Sequence, residues 1–150
     1  MKNILLICLI FLGKISYGQT TKNNKKMEKT AMEVFEVFGQ GMMSGTDSWK
    51  DYIANDIKFI GPVDQVNGKN AFIKLNESFM PAIRGNKMKQ VVESGNYVIT
   101  QIEMQVAMES GKTITLDMCE WYEIKDGKIQ SMRIYYDAEE FKKEMGMKTN

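Results

Sequence analysis

The stretch YVITQIEMQVAMESGKTITLDMCEWYEIKDGKIQSMRIYY (97–136) decides the fold. It alternates apolar and polar residues over three long runs, about 97–108, 113–124 and 128–136, which is the period of half-buried strands. Ser110-Gly111 and Asp126-Gly127 separate the runs, and both are hairpin turn signals. A fourth run, 87–94, precedes Gly95-Asn96 and extends the antiparallel meander to four strands.

Working toward the N-terminus, the period changes from two to between three and four. From Met27, the residues Ala31, Val34, Phe35, Phe38 and Met42 form one apolar stripe, which predicts a helix that Gly41 and Gly45 end. Thr46 or Asp47 then caps a short second helix carrying Trp49, Tyr52 and Ile53, and IKFI (57–60) reads as a brief strand. A third helix over about 69–83 places Phe72, Leu75, Phe79 and Ile83 on one face, with Pro81 disturbing its last turn. Gly85-Asn86 reads as a turn. After the meander a short helix, 138–146, closes the chain. Asp137-Ala-Glu-Glu140 is a capping box for that helix, and a catalytic reading of Asp137 competes with it. This order gives an α+β architecture, three N-terminal helices packed on a curved antiparallel sheet with a short C-terminal helix.

At the N-terminus, Lys2, the apolar run ILLICLIFL (4–12) and Ser16-Tyr17-Gly18 together read as a secretory signal peptide over 1–18. The apolar run is too short for a bilayer, which takes about 20 residues. Residues 19–26 (QTTKNNKK) read as a disordered lead-in, and 27–148 as the one domain. The expectation is an exported protein, periplasmic or secreted, with no membrane attachment once the signal is removed. Its 132 remaining residues carry 18 basic and 19 acidic side chains and a single Cys, Cys119. No internal disulfide is then possible, so the core must supply stability.

Composition narrows function by exclusion. The chain has 150 residues, 43% hydrophobic and 26% charged, with a net charge of +1 and no His. A near-neutral balance gives no electrostatic basis for nucleic-acid binding. Without His there is no Ser-His-Asp triad and no His-ligated metal. No Gly-rich phosphate loop is present, and neither a metal nor a cofactor is expected. Thirteen Met suit an adaptable apolar interior.

Pairing arithmetic then selects candidate site residues. A two-residue Ser110-Gly111 turn sets Gln105 opposite Leu116, Glu103 opposite Met118 and Gln101 opposite Glu120, so these six share a face. The next turn has two solutions. A two-residue Asp126-Gly127 turn pairs Glu120 with Arg133; a three-residue Lys125-Asp126-Gly127 turn pairs Glu120 with Met132 and Met118 with Ile134. The second gathers the large apolar groups on one face and is preferred. The expected inner face is Leu116, Met118, Met132, Ile134 and Tyr136, with Gln101, Glu103 and Glu120 among them, a small-molecule wall. Phe38, Trp49 and Tyr52 come from the helices as further lining or core. Val98, Ile102, Met104, Val106, Met108, Cys119 and Trp121 then fall on the outer face, apolar enough to predict a homodimer through it.

Glu120, between Met118 and Tyr122, is the leading catalytic candidate. Desolvation there would raise its pKa and let it act as an acid near neutrality. The competing reading leaves Glu120 at the sheet rim or paired with Arg133. Glu103 is the second candidate, and two carboxyls in one cavity would divide acid and base roles.

The stretches FIGPVDQVNGKNAFIKL (59–75) and EWYEIKDGKIQSMRIYYDAEEF (120–141) resemble the SnoaL-like branch of the nuclear-transport-factor-2-like (NTF2-like) superfamily. The resemblance implies a cone-shaped α+β barrel with one internal pocket, often dimeric through the outer sheet face. It does not imply one chemistry, since that superfamily includes isomerases, cyclases, hydrolases, dehydratases and non-catalytic binders. The general-base Asp of the steroid isomerases corresponds to Gly61, their oxyanion-hole Tyr falls near Phe38, and their second acid falls at Glu120. In limonene-type epoxide hydrolases an Arg-x-Asp corresponds to Gln101 and Glu103, and a further Asp to Ile134. No complete catalytic set carries over. The sequence therefore predicts binding of a small apolar or amphipathic molecule with cofactor-free acid–base catalysis of isomerase, hydratase or cyclase type. The alternative is a binding or dimer-scaffold protein without turnover.

Overall fold

The computed structural model describes residues 29–147, so the expected signal peptide and lead-in lie outside the described residues. Helix α1 (Ala31–Met43) begins at Thr30, whose Oγ1 accepts from the Glu33 N–H while the Glu33 carboxylate accepts from the Thr30 N–H. This reciprocal pair satisfies two N–H groups that the helix itself cannot. Its apolar stripe buries Ala31, Val34, Phe38 and Gly41. Gly41 is small for a packing reason: a Cβ there would lie 2.7 Å from the Trp49 backbone nitrogen.

The expected second helix is a 3₁₀ segment, Asp47–Tyr52, two tight turns long. Ile53 already belongs to strand β1 (Ile53–Ile60), four residues earlier than expected. A register shift between Ile53 and Lys58 interrupts the alternation, which is why only IKFI reads as strand. A three-residue edge strand, β2 (Gln65–Asn67), was not anticipated. Helix α2 (Lys69–Phe79) stops before Pro81, and Met80–Ala82 continues as 3₁₀.

Strand β3 (Ile83–Ser94) runs straight through the expected Gly85-Asn86 turn. Gly85 serves close approach instead: it pairs with Gln105, whose side chain would lie 3.1 Å from a Cβ at 85. Strands β4 (Tyr97–Ala107), β5 (Thr113–Lys125) and β6 (Lys128–Tyr135) follow, then α3 (Glu139–Glu144). The curved, unclosed sheet has the order β2-β1-β6-β5-β4-β3. It is not wholly antiparallel, because β1 returns through the helices to lie parallel to β6.

Two turns correct the expected register. Between β4 and β5 the loop is Glu109-Ser110-Gly111, closed by the Met108 N–H on the Lys112 carbonyl at 2.8 Å, with Gly111 at φ +86°. That is the three-residue hairpin with a left-handed Gly, and it slips the pairing by one. Thr100, not Gln101, stands opposite Glu120, and Glu103 stands opposite Asp117. The faces of β4 therefore exchange. Val98, Ile102, Met104, Val106 and Met108 are core, whereas Gln101, Glu103 and Gln105 face outward.

Between β5 and β6 the turn is the two-residue Asp126-Gly127, both with positive φ (+53° and +69°). A bulge then inserts one residue before Ser131, so that Glu120 pairs with Ile134 and Tyr122 with Met132. The turn differs from the preferred expectation, yet the bulge restores the same parity. Met118, Glu120, Met132 and Ile134 share a face after all.

The apolar interior forms two clusters. One lies under α1, around Val34, Phe38, Trp49, Phe72, Tyr122 and Ile129. The other lies under α3 and the end of α2, around Ile102, Val106, Leu116, Met118 and Phe141. On the inner face of β5 the first contributes Tyr122 and Ile124, the second Ile114, Leu116 and Met118. Glu120 stands between them.

Candidate functional site

Thr100 and Glu120 are the buried polar side chains at this seam, 1% and 6% exposed. They occupy directly opposed positions of β4 and β5. The Tyr122 hydroxyl donates to Glu120 Oε2 at 2.7 Å, and the Thr100 hydroxyl donates to the same oxygen at 3.1 Å. Phe35 and Phe38 hold the Tyr122 ring edge-on, with centroids 5.1 and 6.3 Å away. The hydroxyl is thereby fixed toward the acid.

Glu120 Oε1 has no hydrogen-bond partner among the described residues, yet none of their fully buried side-chain oxygens is left unpartnered. Among the described residues no cation is paired with Glu120 either. Arg133, its partner in the competing reading, stands opposite Trp121 on the other face and is exposed. Burial pushes the Glu120 carboxyl up, against the smaller opposing pull of the Tyr122 and Thr100 hydrogen bonds. Burial, then the adjacent acid, pushes the Tyr122 phenol far up as well, so it stays a neutral donor. A neutral Glu120 has its second oxygen free to give or take a proton.

The other sequence candidates divide by location. Glu103 is outside this cluster: Lys89 Nζ lies 3.0 Å from it and 3.5 Å from Asp117. Gln101 also faces outward and donates to Asp117 Oδ1 at 3.4 Å. The register slip that exchanged the β4 faces is the reason, and no two-carboxyl cavity forms. Phe38 and Trp49 pack edge to face in the first core cluster with Met132, while Leu116 and Met118 are buried in the second. Tyr52 is part-buried, and its hydroxyl accepts from Lys29 Nζ at 3.0 Å. Asp137 accepts from the Glu139 N–H at 3.0 Å in an Asx-type turn, but the helix N-cap is Ala138, without a side-chain bond, and Glu140 turns to Lys112, so the expected capping box does not form.

Ile134 and Tyr136 are part-buried and line a cleft of about 330 Å³ with Ile60, Gly61, Pro62, Arg133 and Tyr135. Ile134 is also the cross-strand partner of Glu120, so the cleft begins one strand away from the acid. A wider groove of about 420 Å³ lies over Gln90, Val92, Ile99, Gln101, Asp117, Cys119 and Tyr135. Neither is lined by Glu120 itself. Among the described residues, no group of three or more His, Cys, Asp or Glu is placed to hold a metal ion.

Sequence reasoning missed Thr100 and the role of the Tyr122 hydroxyl. The signal was present: with Gly111 as the left-handed residue of a three-residue turn, Thr100 falls opposite Glu120.

The architecture is that of the NTF2-like class. An NTF2-like protein of unknown function from Cytophaga hutchinsonii superposes with a TM-score of 0.63 at 19% identity, over 77% of this chain and 97% of its own. The chain belongs to the SnoaL-like domain family, whose model matches residues 31–132. A SnoaL-like protein from Mesorhizobium loti, described as a candidate polyketide cyclase, gives a TM-score of 0.62 at 22% identity, over 72% of this chain and 100% of its own. TerC, co-crystallised with polyporic acid, gives 0.65 at 16% identity, over 77% and 98%. At these identities the likeness is one of fold. No functionally curated protein matches the sequence.

Proposed function

We propose that the protein is an exported SnoaL-like domain that binds a small apolar or amphipathic molecule, with Glu120 as a proton-holding group of a cofactor-free isomerase-, hydratase- or cyclase-type reaction. The observation that carries this reading is the buried carboxyl whose Oε2 is held by Tyr122 and Thr100, whose Oε1 has no hydrogen-bond partner among the described residues, and whose pKa burial pushes up. Family membership and the co-crystallisation of TerC with polyporic acid support a small-molecule ligand. The Lys2 to Gly18 pattern supports export to the periplasm or beyond. With Glu103 on the other face, the chemistry rests on one acid rather than two.

Native mass spectrometry of protein purified from its own host tests the ligand. A bound small molecule is the expected result. Glu120→Gln should then abolish its turnover while preserving its affinity; unchanged turnover would remove Glu120 from the mechanism.

A second reading, a binding or scaffold protein that dimerises, is favoured by a different observation. The outward face carries exposed Val92, Tyr97, Trp121 and Tyr135 near the wider groove; Trp121 and Cys119 lie on this face as expected, whereas the β4 residues expected with them are core. Burial against a second copy would remove this apolar surface from water. Sedimentation should give twice the monomer mass, and Tyr135→Lys should return it to the monomer. A monomer at all concentrations would end the dimer proposal.

A further inference from the structure

The cleft beside Ile134 has its own electrostatic signature. Strands β1 and β6 run parallel up to the pair Ile60 and Arg133. Beyond it β1 turns away, with the Gly61 N–H bonded to the Asp64 carbonyl at 2.8 Å, while β6 continues beside β5 to the pair Tyr135 and Cys119. The two strands fork, and the cleft of about 330 Å³ lies in the fork, Ile60 to Pro62 on one side and Arg133 to Tyr136 on the other. That volume is at the small end of ligand pockets, which run from about 300 to 1,000 Å³.

Arg133 is the charged residue lining this cleft, and among the described residues it makes neither an ion pair nor a side-chain hydrogen bond. By contrast Arg84 donates to the carbonyls of Pro81 and Ile83. The acids nearby are committed or placed elsewhere. Glu123 holds Lys125 and Ser131, and Glu120 is bonded on the buried face by Thr100 and Tyr122. Asp64 is exposed and acts on Tyr136. Burial, with Asp64 second, pushes the Tyr136 phenol up to about 12, so near neutrality it is an uncharged hydroxyl. An unpaired guanidinium beside an apolar cleft is suited to a planar carboxylate, which it binds through two parallel N–H bonds.

We propose that the fork between β1 and β6 binds a small amphipathic carboxylate, its head on the Arg133 guanidinium and its apolar body against Ile60, Pro62 and Ile134. Asp64 repels the head, which orients it toward Arg133. The inference names the ligand class for the small-molecule reading above, but it does not require chemistry at Glu120.

The test is an NMR titration of the full mature chain with phenylacetate and, separately, with uncharged phenylacetamide. Phenylacetate should shift the amides of residues 60–62 and 133–136 and bind at least about tenfold more tightly than the amide. Arg133→Gln should reduce phenylacetate to the level of phenylacetamide, with the thermal midpoint unchanged because Arg133 is exposed. Arg133→Lys should recover part of the affinity. Glu120→Gln should leave phenylacetate binding intact, so loss of the catalytic reading and loss of this site give different results. Equal binding of acid and amide, shifts confined to the wider groove, or full affinity in Arg133→Gln would each overturn the proposal.

Discussion

Replacing Glu120 separates its hydrogen bonding from its charge. In Glu120→Ala the Tyr122 and Thr100 hydroxyls lose their common acceptor inside the protein. An unsatisfied buried donor costs roughly 1–3 kcal/mol, so the pair costs about 2–6 kcal/mol. That is a large part of the ~5–15 kcal/mol that holds a domain together. Glu120→Gln keeps an amide oxygen for both donors and should cost about 1 kcal/mol or less where the wild-type carboxyl is protonated. The two proteins then diverge with pH. The Glu120 pKa is raised in the folded state, so above the unfolded value of about 4.3 the native protein binds more protons than the unfolded chain. Wild-type stability therefore falls as pH rises from there through the folded pKa, with a slope from this group bounded by about 1.4 kcal/mol per pH unit. The glutamine variant lacks this contribution, and all other titrations cancel in the difference. Urea unfolding at fixed ionic strength between about pH 4 and pH 8 measures it. Glu120→Gln should gain on the wild type as pH rises. A gap independent of pH, or one that opens in the wild type's favour, would refute the reasoning.

Tyr122→Phe should raise the Glu120 pKa further, since the Tyr122 bond is the largest influence lowering it, and should cost about 1 kcal/mol in chemical denaturation. Gly41→Ala should destabilise by about 1–3 kcal/mol despite the higher helix propensity of Ala, because its methyl would meet the Trp49 backbone; the thermal midpoint reports this. Glu103→Gln should leave both the ligand affinity and the pH dependence of activity unchanged, as binding and rate profiles would show, because its carboxylate faces Lys89 on the opposite side of the sheet.

The helices and the meander were legible because their periodicities are long. The stripe from Ala31 to Met42 and the alternation through 97–136 each repeat several times. What sequence left undecided were single-residue events. One extra residue in the turn at Glu109-Ser110-Gly111 exchanged the faces of β4, moved Gln101 and Glu103 outward and brought Thr100 to Glu120. One bulged residue before Ser131 returned β6 to the face a different turn had assigned it. Neither leaves a periodic trace, and both are set by which backbone turn closes at lowest strain. The parallel pairing of β1 with β6 was illegible for another reason: it joins segments some seventy residues apart through contacts no local pattern records. Glu120 was legible because its own strand alternates cleanly between Leu116 and Tyr122; its two hydroxyl partners required the register.

The most direct test of the central claim is a pH titration of the Glu120 side-chain carboxyl by carbon-detected NMR, in wild type and in Tyr122→Phe. A midpoint above the ordinary carboxyl range, moving higher when the phenol is removed, is the predicted result. A midpoint at or below that range would mean the acid is already ionised in its buried seat, and the proton on which the proposed chemistry depends would not be there.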